Sequence, residues 1–341
     1  MNIKTVYYLL TSSRSFCIQI VFTLNAIYYV SQVGLNPLQL ILLGTIMELA
    51  VLLFEIPTGL IADIFGRKKS IIIGTLIIGA AHLLEGTIPT FWAVAIGAAL
   101  WGIGWTFISG AETAWIADEM ENKDLDSTLL NGAKYSSLGS FLGILTSVVI
   151  AVIFTVQIAI ILAGVFLIVL AILSSKMIVE TKFITIARDD SSNFEQMKGA
   201  LRGSLTIIKS NKILLSLAVI TLFMGLASEG FDRLWGAHFI EGFKMNEEES
   251  VYWFGTFYAI AFLLNIGVLK IVETYVKERF AIVLVLLNSL LVIVMIYFAT
   301  AEQFLIAAIL YWGIASLRAV NYPLVSVMTN KQLQSQGRAT T

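Results

Sequence analysis

Ten long apolar runs, separated by short polar breaks, dominate this chain and restrict what it can fold into. A helix needs about 20 mostly apolar residues to cross the hydrocarbon core of a bilayer, which is about 30 Å thick. The runs are of that order of length, and they are apolar all round rather than alternating in polarity as membrane strands do. Charged residues make up only 13% of the chain, against about 25% in soluble globular proteins. We therefore predict an all-α membrane protein with about ten transmembrane helices and the lipid bilayer as its partner.

One longer polar break divides the runs into six and four. From it we predict an N-terminal six-helix bundle (1–178), a cytoplasmic linker (179–212) and a C-terminal bundle of four helices (213–341). Apolar residues recur at helical spacing within the linker, which indicates a helix lying on the membrane surface. A linker without regular structure is the alternative. The predicted spans are 7–30, 38–62, 71–88, 91–117, 130–154, 158–178, 213–239, 252–272, 280–299 and 304–327.

The distribution of basic residues predicts the orientation of the chain. With the N-terminus in the cytoplasm, 18 of the 22 Lys and Arg residues fall in cytoplasmic segments or at the cytoplasmic ends of spans, and Lys244 alone lies outside. The remaining three, Arg14, Arg233 and Arg318, lie deeper within spans. Cytoplasmic loops of membrane proteins carry such an excess of Lys and Arg, so we expect a multi-pass protein of the plasma membrane. No nucleic-acid partner is expected, because the basic residues are spread along the chain rather than massed in one patch.

The sequence contains no residue pattern typical of an enzyme active site or of a metal site. His82 and His238 lie on different predicted spans without the spacing of metal ligands. The chain has no phosphate-binding loop, so we do not expect ATP to be its energy source. Its single cysteine, Cys17, excludes an internal disulfide. We expect neither an enzyme nor a cofactor.

The stretch GLIADIFGRKKS, which begins at Gly59, interrupts the apolar sequence between the second and third spans. We expect Gly59 to let the second helix approach a neighbour, Asp63 to end that helix, and Gly66 to permit a tight turn. The basic residues Arg67 and Lys68 would then hold this turn on the cytoplasmic face.

These five residues match the G-x-x-x-D-x-x-G-R-[KR] signature of the major facilitator superfamily, which the chain also resembles in the position of this turn and of its linker. The resemblance implies a fold of two helical bundles, and a monomer that transports a small molecule without a cofactor. It also implies that Asp63 and Arg67 act with an acidic residue at the end of span four, here Asp118, as a conformational switch that clamps the two halves together. A charged loop that only fixes orientation is the alternative for Asp118.

Two further stretches resemble the drug-exporter branch related to tetracycline and macrolide efflux proteins: EIPTG, beginning at Glu55, and SGAETAWIAD, beginning at Ser109. This resemblance implies proton-coupled efflux of amphipathic drugs. Span five carries GSFLG, beginning at Gly139, without the proline of the antiporter signature, so the direction of transport stays open. The family usually has twelve spans, and we expect the last two to be missing here. An uptake carrier or facilitator for a polar metabolite and a truncated, inactive membrane protein are the alternatives.

Charged residues inside the spans are the candidates for proton coupling. Placing an ionisable side chain within a span costs roughly 2.5 to 3.5 kcal/mol on insertion scales, so we expect each one to have a partner or a function. At a rise of about 1.5 Å per residue, Arg14, Glu55 and Glu112 lie at similar depths from the cytoplasmic side. We predict that they form a cluster in which one carboxylate is left to exchange a proton.

Three more charged residues are the candidates for substrate binding. Glu48 lies in span two, nearer the middle of the membrane, where it would meet a cationic substrate. A hydrogen-bonded structural acid is the alternative for Glu48. In span seven, Glu229 and Arg233 are four residues apart and can neutralise each other along the helix. Asp232 is then left to face the cavity or to pair with Arg318.

Overall fold

A computed structural model describes residues 2–120, 124–183, 211–275 and 280–339, with side chains described as far as residue 329. Ten α-helices account for nearly all of these residues. They are α1 (Ile3–Ile27), α2 (Pro37–Phe65), α3 (Arg67–Thr87), α4 (Phe91–Glu119), α5 (Leu125–Ile153), α6 (Val156–Met177), α7 (Lys212–Gly242), α8 (Glu247–Tyr275), α9 (Phe280–Ala299) and α10 (Phe304–Ala339). The predicted all-α class is confirmed.

Nine helices in the described part of the chain, α2 to α10, are long and apolar enough to cross a bilayer. The helix α1 has the length but is less apolar, because it carries Arg14 and several hydroxyl and amide side chains. It lies along α5 and α6, and side chains such as Leu10, Ile20 and Leu24 are buried there. Helices can carry polar groups in a membrane where their neighbours are protein rather than lipid. The polarity of α1 is therefore consistent with its buried position.

Several helices extend beyond the apolar runs that predicted them. The helix α2 starts at Pro37, where Asn36 and Gln39 form a capping box. Similarly, α5 begins at Leu125, ahead of the predicted residue 130, and the first turn of α8 is acidic. Apolar runs mark only the part of a helix in contact with hydrocarbon, whereas first turns favour polar caps and acidic residues. The surface helix predicted within the linker lies outside the described residues, which include only 179–183 and 211–212 of the linker.

The chain forms two compact units. One comprises Met1–Ile186 and Arg233–Tyr258, and the other comprises Ala187–Asp232 and Ala259–Thr341. In the first unit, α1 lies along α5 and α6, α3 packs on both α4 and α6, and α2 packs on α4. Its core includes Ile20, Leu24, Ile27 and Tyr28, whose side chains are fully buried.

Small residues allow α3 and α4 to approach closely. A Cβ atom added at Gly104 would lie 2.8 Å from the carbonyl oxygen of Gly74 and 2.7 Å from Cγ1 of Ile78. A Cβ atom added at Gly74 would in turn lie 2.5 Å from the carbonyl oxygen of Gly104. Membrane helices commonly associate through such small-residue contacts, because close backbone approach provides van der Waals packing.

A π-helical turn, Tyr28–Gln32, continues α1. The backbone N–H of Val33 donates to the carbonyl oxygen of Tyr28 at 2.9 Å, which is the i to i+5 pattern of a π-helix. At the end of this turn, Nε2 of Gln32 donates to Oε1 of Glu247 at 2.8 Å. The turn thus connects the end of α1 to the start of α8 within the first unit.

In the second unit, α9 packs against α10. Leu284 of α9 and Val320 of α10 belong to one buried apolar cluster. Beside them, Nδ2 of Asn288 donates to Oδ1 of Asn321 at 3.0 Å. Such hydrogen bonds between amide side chains help to hold helices together in a lipid environment.

Candidate functional site

Gly66 alone forms the turn between α2 and α3. Its φ of +102° is one that residues with a Cβ atom rarely adopt, which explains the glycine. The helix α2 continues past Asp63 to Phe65, and α3 begins at Arg67. The charged residues of the signature therefore lie in the adjoining turns of two helices rather than in a loop.

Gly59 does not make the close helix contact that we expected of it. A Cβ atom added at this position would meet no atom within 4 Å. The side of α2 that carries Gly59 is exposed in the described structure. The interpretation of Gly59 as a packing glycine is therefore corrected.

Arg67 connects the turn to the end of α4. Its guanidinium forms an ion pair with Asp118, and Nη1 donates to the carbonyl oxygen of Ala114 at 2.9 Å. The carboxylate of Asp63 lies 3.9 Å from Nη2 of Arg67. The structure thus brings together the three residues that the family resemblance groups as a switch, with the arginine between the two carboxylates.

Glu180, which follows α6, binds the first backbone N–H groups of α3 at the same turn. Its Oε1 accepts hydrogen bonds from the backbone N–H groups of Arg67 at 2.6 Å and of Lys68 at 3.3 Å. A carboxylate is stabilised there, because the first turn of a helix exposes unpaired N–H groups and the positive end of the helix dipole. A Cβ atom at Gly66 would lie 2.8 Å from Oε2 of Glu180, so glycine also makes room for this contact.

The last residue of α4, Glu119, holds the segment that leaves α6. Its Oε1 accepts from the backbone N–H groups of Thr181 at 2.5 Å and Lys182 at 2.8 Å, and its Oε2 accepts from Oγ1 of Thr181 at 2.8 Å. Nearby, Nε1 of Trp115 donates to the carbonyl oxygen of Val179 at 2.9 Å. The residues after α6 are therefore fixed to α4, while Glu180 fixes them to α3.

Arg14 of α1 and Glu112 of α4 form a buried ion pair. Nη2 of Arg14 donates to Oε2 of Glu112, and the two side chains are only 7% and 12% exposed. The second carboxylate oxygen, Oε1, is also buried and has no hydrogen-bond partner among the described residues. Each charge of such a pair depends on the other, because a single buried charge is strongly destabilising.

Glu55, the third member of the predicted cluster, lies beside this pair without joining it. Its Oε1 accepts a hydrogen bond of 3.4 Å from Oγ of Ser109, which precedes Glu112 by three residues on α4. Glu55 is exposed and forms no ion pair with any described residue. Glu48 is also exposed on α2.

The other two candidates for substrate binding are paired with each other in the second unit. Nη1 and Nη2 of Arg318 donate to Oδ1 and Oδ2 of Asp232, both at 2.6 Å. The guanidinium also lies over the ring of Phe231, 5.4 Å from its centre. This is the bidentate geometry in which arginine binds a carboxylate most strongly.

A second buried polar group lies at the opposite end of α3 from Arg67, and the sequence analysis considered its histidine only as a possible metal ligand. Nδ1 of His82 lies 2.6 Å from Oε1 of Glu85, and the whole residues are 3% and 4% exposed. Oη of Tyr29 donates to Oε2 of Glu85 at 2.9 Å, and Oη of Tyr28 donates to its backbone carbonyl oxygen at 2.5 Å. The π-helical turn after α1 therefore covers this glutamate with two tyrosines.

This group borders a small cavity of about 30 Å³ in the first unit. The polar residues that line it are Asn25, Tyr29, His82, Glu85 and Arg233. Its apolar wall comes from α1, α2 and α4 and includes a tryptophan, Trp101. The cavity is thus mostly apolar with a few polar groups that converge on it.

Comparison with known proteins gives the family of the chain. A family model described as Major Facilitator Superfamily matches residues 7–341. No curated protein sequence matches the chain.

Several solved transporter structures share the fold. A mutant of the nucleoside transporter NupG matches with a TM-score of 0.71 at 12% identity, over 97% of this chain and 83% of that one. A bacterial homolog of the human lysosomal transporter Spinster, inward-facing and unoccupied, matches with a TM-score of 0.68 at 13% identity, over 96% and 78%. A D-xylose-proton symporter matches with a TM-score of 0.63 at 13% identity, over 95% and 80%.

At this level of identity the solved structures indicate the fold alone, and they differ in what they transport. The family model, by contrast, covers nearly the whole chain. The chain therefore belongs to the major facilitator superfamily and is a membrane transporter rather than an enzyme.

Proposed function

We propose that this protein is a secondary active transporter that exports small amphipathic molecules in exchange for protons. In this proposal the substrate site is exposed to each side of the membrane in turn, as in other transporters built from two helical bundles. The observation that carries the proposal is the buried Arg14–Glu112 ion pair, with the exposed Glu55 one turn away on the neighbouring helix. Intramembrane charges mark proton or substrate pathways in membrane proteins.

In proton coupling, the Arg14–Glu112 pair and Glu55 have different roles. Arg14 neutralises Glu112, which keeps both charges stable between α1 and α4. Glu55 keeps its carboxylate accessible, and within the described part of the chain its contact is the 3.4 Å hydrogen bond from Ser109. It is therefore the carboxylate that takes up and releases the proton, and its charge alternates while the charge of the pair stays constant.

The exposed carboxylate of Glu48, on the same helix as Glu55, attracts a cationic substrate. Asp232 and Arg318 are the corresponding groups in the second unit. Because Arg318 holds both oxygens of Asp232, a cationic group reaches this aspartate only by competing with the guanidinium. Such competition links substrate binding to a change in the pairing of α7 with α10.

Removing the carboxylate of Asp118 should impair transport more than folding. The Asp118→Asn substitution leaves Arg67 with Asp63, which lies 3.9 Å away, and the Arg67–Asp118 pair is only partly buried. Such a pair contributes about 1 kcal/mol, so we expect the transport rate to fall roughly fivefold if the pair acts in the rate-limiting closure. Asp126→Asn, at the exposed start of α5, is the matched control. Equal transport by the two variants would remove Asp118 from the switch.

The proposed orientation can be tested on the two ends of α3. Lys69 and Thr87 are both exposed and lie at opposite ends of this helix. Cys17 is the single cysteine and is buried, so the parent chain provides a background of low reactivity. A membrane-impermeant maleimide should label Thr87→Cys in intact cells and Lys69→Cys only after the cells are permeabilised. The reverse pattern would place the N-terminus outside.

The proposed activity is tested by expressing the chain in cells that lack drug efflux and measuring the retention of a cationic amphipathic dye. We expect retention to fall when the chain is present and a proton gradient exists, and to recover when the gradient is collapsed. Dye accumulation driven by the chain would indicate an uptake carrier instead. Retention that does not depend on the chain, although the protein is present in the membrane, would contradict efflux of this class of substrate.

A further inference from the structure

We propose that His82 and Glu85 form a second proton-binding site, at the outer end of α3, at which a proton from the outside enters the first unit. This inference rests on the proposed proton-coupled function, because it adds an entry site for the same coupling ion. It concerns a group distinct from the Arg14, Glu55 and Glu112 cluster.

The position of the site separates it from that cluster. Gly97 of α4 lies against Glu85, since a Cβ atom added there would be 3.7 Å from Oε2 of Glu85. Glu112 lies fifteen residues further along the same helix, which corresponds to a rise of about 22 Å. In the proposed orientation, the His82 site is therefore near the outside and the Arg14–Glu112 pair near the cytoplasm.

The hydrogen bonds of Glu85 are satisfied within the protein. Oε1 contacts Nδ1 of His82 at 2.6 Å and Oε2 accepts from Tyr29 at 2.9 Å, so both carboxylate oxygens are engaged. Tyr28 adds a hydrogen bond to the backbone carbonyl oxygen of the same residue. These contacts hold the carboxylate and orient the imidazole beside it, as a carboxylate does for histidine in proton-transfer sites.

The other nitrogen of His82 is the one available for a proton. Nε2 is buried, has no hydrogen-bond partner in the described part of the chain, and belongs to a residue that lines the cavity. The cavity volume of about 30 Å³ exceeds the roughly 10 to 15 Å³ that a single water molecule requires. Asn25, Tyr29 and Arg233 supply further polar contacts for such a water.

The charged and titratable groups that face the pair are few. The π-helical turn after α1 provides Tyr28 and Tyr29, and α7 provides Arg233. The lining residues of α2 and α4 have no titratable side chain, and α6 contributes an amide, Gln157, whose Nε2 donates to the carbonyl oxygen of Gly86. No group of three or more potential ligands in the described residues is placed to hold a metal ion, so a proton fits this site better than a metal does.

The proposed step transfers one proton and breaks no other bond. Neutral His82 donates Nδ1–H to Glu85, and the lone pair of Nε2 accepts a proton from a hydronium ion in the cavity. The products are a water molecule and an imidazolium whose charge is balanced by the carboxylate of Glu85. Release reverses the step and returns the proton from Nε2 to water.

The first experiment observes the imidazole directly and needs no transport. The full chain, ¹⁵N-labelled at histidine and reconstituted in lipid bilayers, contains two histidines, so His238→Gln leaves His82 as the single signal. We expect the ¹⁵N spectrum to change reversibly between the neutral and protonated forms as the pH is lowered. We also expect the titration to differ in Glu85→Gln. If His238→Gln does not fold, the signal that disappears in His82→Gln identifies the residue. A spectrum of His82 that does not change with pH would overturn the proposal, because a sealed structural pair does not exchange protons.

The second experiment locates the site relative to the membrane. In vesicles that hold the chain in one orientation, the rate of dye transport should depend on the pH of each side. We expect Glu85→Gln and His82→Gln to lose the response to the outer pH, and Tyr29→Phe to weaken it. Glu241→Gln, an exposed acid at the end of α7, should keep the response. Responses that are unchanged in the Glu85 and His82 variants would overturn the entry role.

The two experiments separate this inference from the proposed function. If His82 titrates but the chain moves no dye under a proton gradient, proton-coupled efflux is contradicted and the proton site stands. If dye transport depends on the gradient but His82 does not titrate, the proposed function stands and the site at His82 is contradicted.

Discussion

Replacing Arg14 with leucine is expected to lower the free energy of unfolding by roughly 3 to 5 kcal/mol, because it leaves the carboxylate of Glu112 buried without its partner. The side chain of Glu112 is only 12% exposed, and its Oε1 already lacks a hydrogen bond within the described structure. The loss should be measured as a lower midpoint of thermal unfolding of the purified protein. Whatever transport remains should have an altered pH profile, because the proposed coupling cluster has lost its cation.

Two variants make this prediction specific. The double variant Arg14→Leu/Glu112→Leu removes both charges, and its stability should recover, since apolar residues commonly replace a buried ion pair without loss. Its proton-coupled transport should stay low. Lys4→Gln breaks another ion pair of α1, with Asp124, whose side chain is 75% exposed, and should change little. A Tm of Arg14→Leu equal to that of Lys4→Gln would contradict the importance of the buried pair, and an unchanged pH profile would count against the coupling cluster.

Replacing Gly104 with alanine is expected to force α3 and α4 apart. The added methyl group would lie 2.8 Å from the carbonyl oxygen of Gly74 and 3.1 Å from the backbone nitrogen of Ile78. Backbone atoms cannot rotate away as a flexible side chain can, so the helices themselves must shift. Overpacking of this kind typically costs about 1 to 3 kcal/mol. Thermal unfolding of the purified protein and its yield in the membrane should both report the loss.

Gly110, on the same helix, provides the matched control. A Cβ atom there meets no atom within 4 Å. Gly110→Ala adds the same methyl group and also improves the helix propensity by up to about 1 kcal/mol. It should therefore leave the unfolding midpoint unchanged or raise it slightly. If both alanine variants unfold at the same temperature, the close contact of Gly74 with Gly104 does not limit stability.

The helical class of the protein could be predicted from sequence because a helix that crosses a bilayer needs a long run of apolar residues. Helix ends and the polar helix α1 were harder to predict, because they do not meet this requirement. Pro37 and Leu125 start helices outside the apolar runs, because caps and first turns form in water and follow hydrogen-bonding rules rather than hydropathy. Similarly, α1 falls below the hydropathy expected of a lipid-facing span, because its neighbours are protein.

Some residues of the candidate sites could likewise be predicted from sequence, and others could not. Arg14 and Glu112 could be grouped from sequence, because equal depth in two helices follows from the rise per residue. Glu180 could not, since a carboxylate that follows α6 gives no sign that it will reach the first turn of α3. The spacing of His82 and Glu85, three residues apart on one helix, was a usable signal.

The π-helical turn Tyr28–Gln32 makes the length of this segment as important as its composition. Such a turn holds one residue more than an α-helical turn, so a regular helix would cover the same length with one residue fewer. Deleting a residue within the turn would therefore change which side chains occupy the positions that face Glu85 and Glu247. Natural relatives that keep these contacts should keep Tyr29 and Gln32 together with the number of residues between positions 28 and 32.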